Sequence, residues 1–335
     1  MTDSLAHAHG RPPLQARLRS SPEDFVVEEL PNVAPDGDGD HLWLEVRKRN
    51  TNTDWLAKEL ARFAGVNPVD VGYAGIKDRD AVTTQAFTIH LPGREAPDWA
   101  AFPHAEVSIT PRGRHRRKLK RGALAGNRFR LTLREVQGDS AAAEHCLTAI
   151  RDRGVPNYYG EQRFGLGGAN VARAEAMFAG RRVDRNTRSM LLSAARSHCF
   201  NAVLNARVHE GNWDQGLDGE IWCLAGSRSW FGPEAASPEL QARLAAGDIS
   251  PSGPLWGCGA LPTADTARAL EERVLAPFAT LKAGLESAGM EQYRRALRLL
   301  PGELRWSWPE TDVLTLDFRL PPGAYATVVV RELTH

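Results

Sequence analysis

Four consecutive charged side chains, Lys77, Asp78, Arg79 and Asp80, interrupt an apolar run that begins at Val71 and resumes at Ala81-Val82. Positive charge on both sides of Asp78 favours its ionised form. Gly72 and Gly75 loosen the backbone ahead of the charges and Tyr73 supplies an aromatic wall, so the carboxylates would stand at the mouth of a packed element. An ionised Asp78 held there is a candidate nucleophile. The residue types leave two other readings open. One is a solvated turn, which Lys-Asp-Arg-Asp suits; the other is an Asp78/Asp80 pair of oxygen ligands for a divalent metal.

The elements that must position these charges are legible on both sides. A helix is expected from Thr53 as N-cap, with Leu56, Leu60 and Phe63 on one stripe and Gly65 as its stop. Ala86–Leu91 reads as a strand, and Ala16–Glu29 as two strands about a turn at Pro22, with Phe25 in the second. Leu42, Leu44 and Val46 alternate in a further strand after a hairpin loop at 35–40, which lacks the downstream Glu of a calcium loop. Residues 1–13 show no periodicity and read as a mobile tail. Gly122–Arg134 is a glycine-flanked turn entering a strand that projects Asn127 and Phe129 from one face. An amide can hydrogen-bond a base or ribose and an aromatic ring can stack on a base, so the two make a plausible nucleoside clamp.

Composition narrows the class. With 335 residues, 42% of them hydrophobic, the chain can bury two cores. Lys and Arg number 42 against 41 Asp and Glu, so a polyanionic partner must be met by local clusters. The densest is 112–121, with Arg112, Arg114, Arg116, Arg117, Lys118, Lys120 and Arg121. It repels itself unless solvated or neutralised, and in a near-neutral chain it reads as a phosphate-backbone contact. Arg181, Arg182, Arg185 and Arg188 form a second group, open between surface solvation and an RNA contact. Cys146, Cys199, Cys223 and Cys258 are scattered, without Cys-x-x-Cys spacing, as in free thiols of a reducing compartment. No signal-like segment or run of roughly 18 apolar residues is present, and the cytoplasm is the expected location.

The second half is more helical. Ala141–Arg153 reads as a helix ending at Gly154. The aperiodic segment Val155-Pro-Asn-Tyr-Tyr-Gly-Glu-Gln-Arg-Phe-Gly165 follows, then helical stretches at 186–210 and at 263–285, the latter broken at Pro277. Strand character returns after Pro301-Gly302, where Leu314, Leu316, Phe318 and Leu320 alternate with polar residues.

Three of these stretches together resemble the TruD family of tRNA pseudouridine synthases: Gly72–Arg79 with Ala81-Val82-Thr83 and Gln85, Gly126-Asn127-Arg128-Phe129, and Val155–Gly165. The likeness runs from Leu18 to Leu333. It implies an α+β fold, with a mixed, mainly antiparallel sheet in a discontinuous catalytic domain (residues 1–153 and 300–335). An α-rich domain (154–299) would be inserted, with RNA in the cleft. It further implies Asp78 as nucleophile, and Arg19 as its basic partner where other members carry Lys, which exchanges a point donor for a planar fork. Phe25 would line the nucleoside site, Asn127 position it, Phe129 stack on the base, and Tyr325 contribute to the pocket where Phe is usual. Arg114, Arg116, Arg117, Lys118, Lys120 and Arg121 are then the candidate backbone contacts. The expected reaction isomerises uridine 13 of tRNA without metal or other cofactor; tRNA is the partner, and no membrane or obligatory protein partner is implied. The alternatives are a metal-dependent RNA hydrolase using Asp78 and Asp80 and a non-catalytic tRNA-binding module.

Overall fold

The computed structural model describes residues 5–335, which fall into two compact units. One comprises Leu14–Asp139 with Gly302–Gly323; the other comprises the described residues up to Pro13, Ser140–Pro301 and Ala324–His335.

The first unit is a nine-stranded sheet with one long helix. Its strands are β1 (Leu14–Leu18), β2 (Phe25–Pro31), β3 (His41–Arg49), β4 (Val71–Tyr73), β5 (Val82–His90), β6 (Val107–His115), β7 (Leu124–Gly138), Gly302–Glu310 and Val313–Leu320. The main path runs Gly302–Glu310, Val313–Leu320, β7, β2, β5, β3, β6, with β1 also on β7 and β4 also on β5. Every pairing is antiparallel except β2 with β5. Register aligns Lys48, Thr83, Val27, Phe129 and Phe318 in one row across five strands. Because side chains alternate along a strand, this row shares a face with Phe25 and Glu29 two residues away on β2.

Helix α1 (Thr53–Ala64) packs Leu56, Leu60, Ala61 and Ala64 against Leu42, Leu44, Val46, Phe87 and Ile89. Full burial of a leucine such as Leu56 or Leu60 contributes roughly 1.5–3 kcal/mol. Gly65 ends the helix in the left-handed conformation as expected, but the N-cap is Asn52, whose side chain accepts from the backbone N–H of Asp54 and Trp55. Thr53 lies inside the first turn and turns its hydroxyl inward instead, donating to Gln85 Oε1 at 3.2 Å and accepting from the Lys77 N–H at 3.1 Å.

The second unit contains α2 (Ser140–Arg153), α3 (Ala169–Phe178), α4 (Arg185–His209), α5 (Pro238–Ala245), α6 (Asp265–Leu275) and α7 (Ala279–Ser287). Leu191, Ala195, Cys199 and Val203 of α4 are buried with Ala174 and Met177, Leu270 and Leu275, and Leu281 and Leu285. Pro277 lies in a short 3-10 turn between α6 and α7, where the sequence predicts the break. Among the described residues no helix is long and apolar enough to cross a membrane.

Three features depart from the sequence-based expectation. The helical unit carries a four-stranded antiparallel sheet, in the order Trp230–Glu234, Glu220–Leu224, Ile249–Leu255, Tyr293–Ala296. Pro251, Gly253 and Pro254 make its third strand read as a turn. The compact units do not divide at 153 and 300: α2 and Ala324–His335 group with the helical unit. The supposed tail is fastened within that unit. Arg331 donates to the Leu5 and Ala6 carbonyls, Glu332 accepts from the Ala8 and His9 N–H groups, and His9 Nε2 donates to the Gly154 carbonyl at 2.8 Å. The part of that expectation concerning residues 1–4 lies outside the described residues.

Candidate active site

Asp78 stands on the connection between β4 and β5, and four tethers fix that connection. The Lys77 N–H reaches Thr53 of α1. The Gln85 amide donates to the Gly75 carbonyl at 3.1 Å. Lys77 turns its ammonium inward onto Glu29 of β2, forming an ion pair whose side chains are 5% and 2% exposed. Lys48, at the end of β3 and fully buried, donates to the Thr51 carbonyl at 2.6 Å and to the Asp78 carbonyl at 2.9 Å. Glu29 also accepts from the Ala86 N–H, so its second oxygen is satisfied. The Asp78 carboxylate is left 37% exposed at the end of a rigidly held backbone.

The cation paired with that carboxylate is Arg19, with Nη2 3.5 Å from Oδ2. Lys77, expected beside Asp78, is committed to Glu29, and Arg79 is exposed. Arg19 follows the last residue of β1 and takes φ +64°, in the left-handed region, which costs a non-glycine residue roughly 1–2 kcal/mol. Its guanidinium lies 4.0 Å from the centre of the Phe25 ring. Burial pushes the Lys48 ammonium down to about 8, opposed by attraction to Asp78 and assisted by repulsion from Lys77. Asp78 thus has one cation at its carboxylate and a second, weakly held proton behind its backbone.

Phe25 and Phe129 are buried rather than open. Phe129 is 6% exposed, stacks on Phe318 with centroids 5.6 Å apart, and meets Phe25 edge to face at 6.2 Å. They form an apolar floor next to Arg19. Asn127 lies two residues along β7 from Phe129, opposite Glu29 on β2 and Leu320 on the C-terminal strand. Its Oδ1 is buried without a hydrogen-bond partner, an unusual state for a buried acceptor. Gly126 before it admits no side chain, since a Cβ would stand 2.4 Å from the Leu320 carbonyl oxygen.

Tyr325 is not in this unit. It belongs to the helical one, where its hydroxyl accepts from Arg163 Nη2 at 2.9 Å. Tyr73, the expected aromatic wall, donates to Asp54 and lies under Arg121 at 4.0 Å; burial and that hydrogen bond push its phenol up to about 12.

The basic block is largely engaged within its own unit. Arg112 pairs with Glu45, Arg116 with Asp36 and Asp38, and Arg121 with Asp54. Arg114 donates to the Leu91 and Arg94 carbonyls and Lys118 to that of Val69. Of the block, Arg117 and Lys120 are exposed and make no side-chain hydrogen bond or ion pair among the described residues. Arg181, Arg182, Arg185 and Arg188 are likewise exposed.

Sequence reasoning missed Lys48 and Glu29 as site residues. The signal was present: the buried alternation of Leu42, Leu44 and Val46 reaches Lys48 in its next step, and Phe25 and Val27 reach Glu29. A charge on the buried face of a strand needs a partner.

The site sets a paired carboxylate and guanidinium over an aromatic floor on a mixed sheet. The fold matches that of a solved protein described as the putative tRNA pseudouridine synthase D (TruD) from Methanosarcina mazei, with a TM-score of 0.76, 98% of this chain and 95% of that one covered, and 21% identity. The family model described as tRNA pseudouridine synthase D (TruD) matches residues 3–171 and 169–333. The tRNA pseudouridine synthase D of Xanthomonas euvesicatoria pv. vesicatoria (strain 85-10) is 54% identical, covering 99% of this chain and 95% of the relative. That of Nitrosococcus oceani is 53% identical, covering 97% and 92%. The chain belongs to the tRNA pseudouridine synthase D family.

Proposed function

We propose that this protein isomerises uridine to pseudouridine in tRNA, at uridine 13, with Asp78 as the nucleophile. The observation that carries this reading is the Asp78 carboxylate, partly exposed, paired with Arg19 and fastened through its backbone by Lys48. Membership of the family supports the substrate class.

The target uridine must leave its stack before its glycosidic bond is accessible, at a cost of a few kcal/mol. Asp78 then breaks the N-glycosidic bond, by attacking the ribose anomeric carbon or by promoting elimination, and the uracil departs with the bonding pair. The detached ring rotates and C5 bonds to the same ribose carbon, displacing the Asp78 carboxylate where an ester formed, or adding to the unsaturated sugar as Asp78 returns the proton it took from the ribose. C5 then loses its proton and N1, which left with the bonding pair, gains one. Splitting the exchange in two avoids one difficult concerted step. All bonds broken and formed lie within one nucleotide, with no net redox change, so the chemistry requires no cofactor. A base enters over the Phe25–Phe129 floor when the Arg19 guanidinium slides from the Phe25 face. The unpartnered Asn127 oxygen is an acceptor for a base or ribose donor. We place the reaction in the cytoplasm, with tRNA as the partner.

Position is tested by incubating the protein in EDTA with tRNA transcripts carrying uridine or cytidine at position 13, then quantifying pseudouridine after digestion to nucleosides. Pseudouridine in the uridine transcript alone supports the reading. Equal yield from both would refute the position, and strand scission that EDTA abolishes would favour the metal-dependent hydrolase.

A further inference from the structure

The segment Val155–Gly165 brings together a group of half-buried polar side chains in the helical unit, with Asn157 and Asn201 buried beneath them. Asn201 of α4 clamps its backbone, accepting from the Tyr159 N–H and donating to the Tyr159 carbonyl, both at 2.9 Å. Two guanidiniums converge on the Tyr159 ring: Arg295 at 4.2 Å and Arg163 at 5.4 Å from its centre. Arg163 is held by hydroxyls. Its Nη1 donates to Ser193 Oγ at 2.8 Å and its Nη2 to the Tyr325 hydroxyl at 2.9 Å. Its Nε is buried and has no hydrogen-bond partner. No carboxylate pairs with Arg163 among the described residues; its guanidinium partners are hydroxyls, and Glu161, the nearest acid in sequence, is exposed. Arg295 donates to Asn157 Oδ1 at 2.6 Å, and the charge of Arg163 acts against its own.

Two like charges share the Tyr159 ring, one of them oriented only by neutral hydroxyls, and an anion would relieve their repulsion. A guanidinium presents its donors as a planar fork that matches phosphate oxygens. Neutral hydroxyls orient that fork without consuming its charge, which a carboxylate would have done.

We propose that Arg163, oriented by Ser193 and Tyr325 and backed by Arg295, binds a phosphodiester of the RNA substrate. In this site the hydroxyl of Tyr325, which a phenylalanine would lack, fixes the direction of the Arg163 fork. The proposal rests on tRNA being the substrate, as read above.

The test is equilibrium binding of an unmodified tRNA transcript to the full chain across a series of salt concentrations, with thermal melting as the control for folding. Neutralising one phosphate contact weakens binding about tenfold at low salt and reduces the slope of log affinity on log salt by about 0.7–0.9. Arg163→Gln is expected to show both changes. Arg163→Lys keeps the slope but loses affinity, since the charge stays and the fork goes. Tyr325→Phe falls between wild type and Arg163→Gln in affinity. If Arg163→Gln, folded as wild type, retains both affinity and slope, the proposal is overturned. Pseudouridine formation by the wild-type protein on the same transcript keeps this outcome distinct from a failure of the functional reading.

Discussion

Arg19 sits between two groups it serves at once, with its guanidinium 4.0 Å over the Phe25 ring and Nη2 3.5 Å from Asp78 Oδ2. Its backbone adopts φ +64° to reach them. The charge and the geometry make separable predictions. Arg19→Gly removes the strain and the cation together, so it is expected to melt no lower than wild type while turnover falls on the order of 10²-fold. Arg19→Lys keeps the cation and should retain more turnover than Arg19→Gly. Melting curves with single-turnover rates check both; a fully active Arg19→Gly would remove Arg19 from the mechanism.

Lys77 and Glu29 form a buried pair one residue before Asp78. Lys77→Met strands the Glu29 carboxylate, and is expected to destabilise the protein by roughly 3–5 kcal/mol. Replacing both partners, as Lys77→Met with Glu29→Leu, should recover much of that loss. Urea titration measures it, and a neutral Lys77→Met would show that water reaches Glu29.

Lys48 predicts a pH dependence of opposite sign for stability and activity. Burial lowers its folded-state value to about 8, against an ordinary lysine value of 10.5. Between these, the unfolded chain holds a proton that the folded chain has released, so the contribution of this group to stability rises with pH across the interval. Turnover should instead fall above about pH 8, as the positive charge behind Asp78 is lost. Lys48→Met is expected to be slow at all pH values and to lack that alkaline limb. An unchanged limb in Lys48→Met would assign it to another group.

The basic block divides by its internal partners. Arg117→Gln with Lys120→Gln should reduce the salt slope of tRNA binding by about 0.7–0.9 per charge. Arg112→Gln with Arg116→Gln, whose charges already face Glu45, Asp36 and Asp38, should reduce it less. Equal effects from the two pairs would show that these surface ion pairs open when RNA binds.

The strands around the site were legible because their periods are simple: Leu42, Leu44 and Val46 alternate, and the turn at Gly72–Asp78 announces itself by its glycines and charges. Arg19 and Asp78 were both legible as charges, but their pairing depends on β1 ending where it does and on a left-handed residue there. The burial of Phe129 was not legible, since its stacking partner Phe318 arrives from the other end of the chain by a strand pairing that no local pattern encodes. The split of the unit boundaries was hidden for the same reason: α2 reads as an ordinary helix, and only its tertiary contacts decide its unit.

The central claim is that the Asp78 carboxylate does the chemistry. Asp78→Ala and wild type, matched in melting temperature and tRNA affinity, should be incubated with transcript in EDTA and assayed for pseudouridine by mass spectrometry. Wild type is expected to form pseudouridine and Asp78→Ala none above background, with the RNA intact in both. Pseudouridine formed by Asp78→Ala at the wild-type rate would contradict that claim.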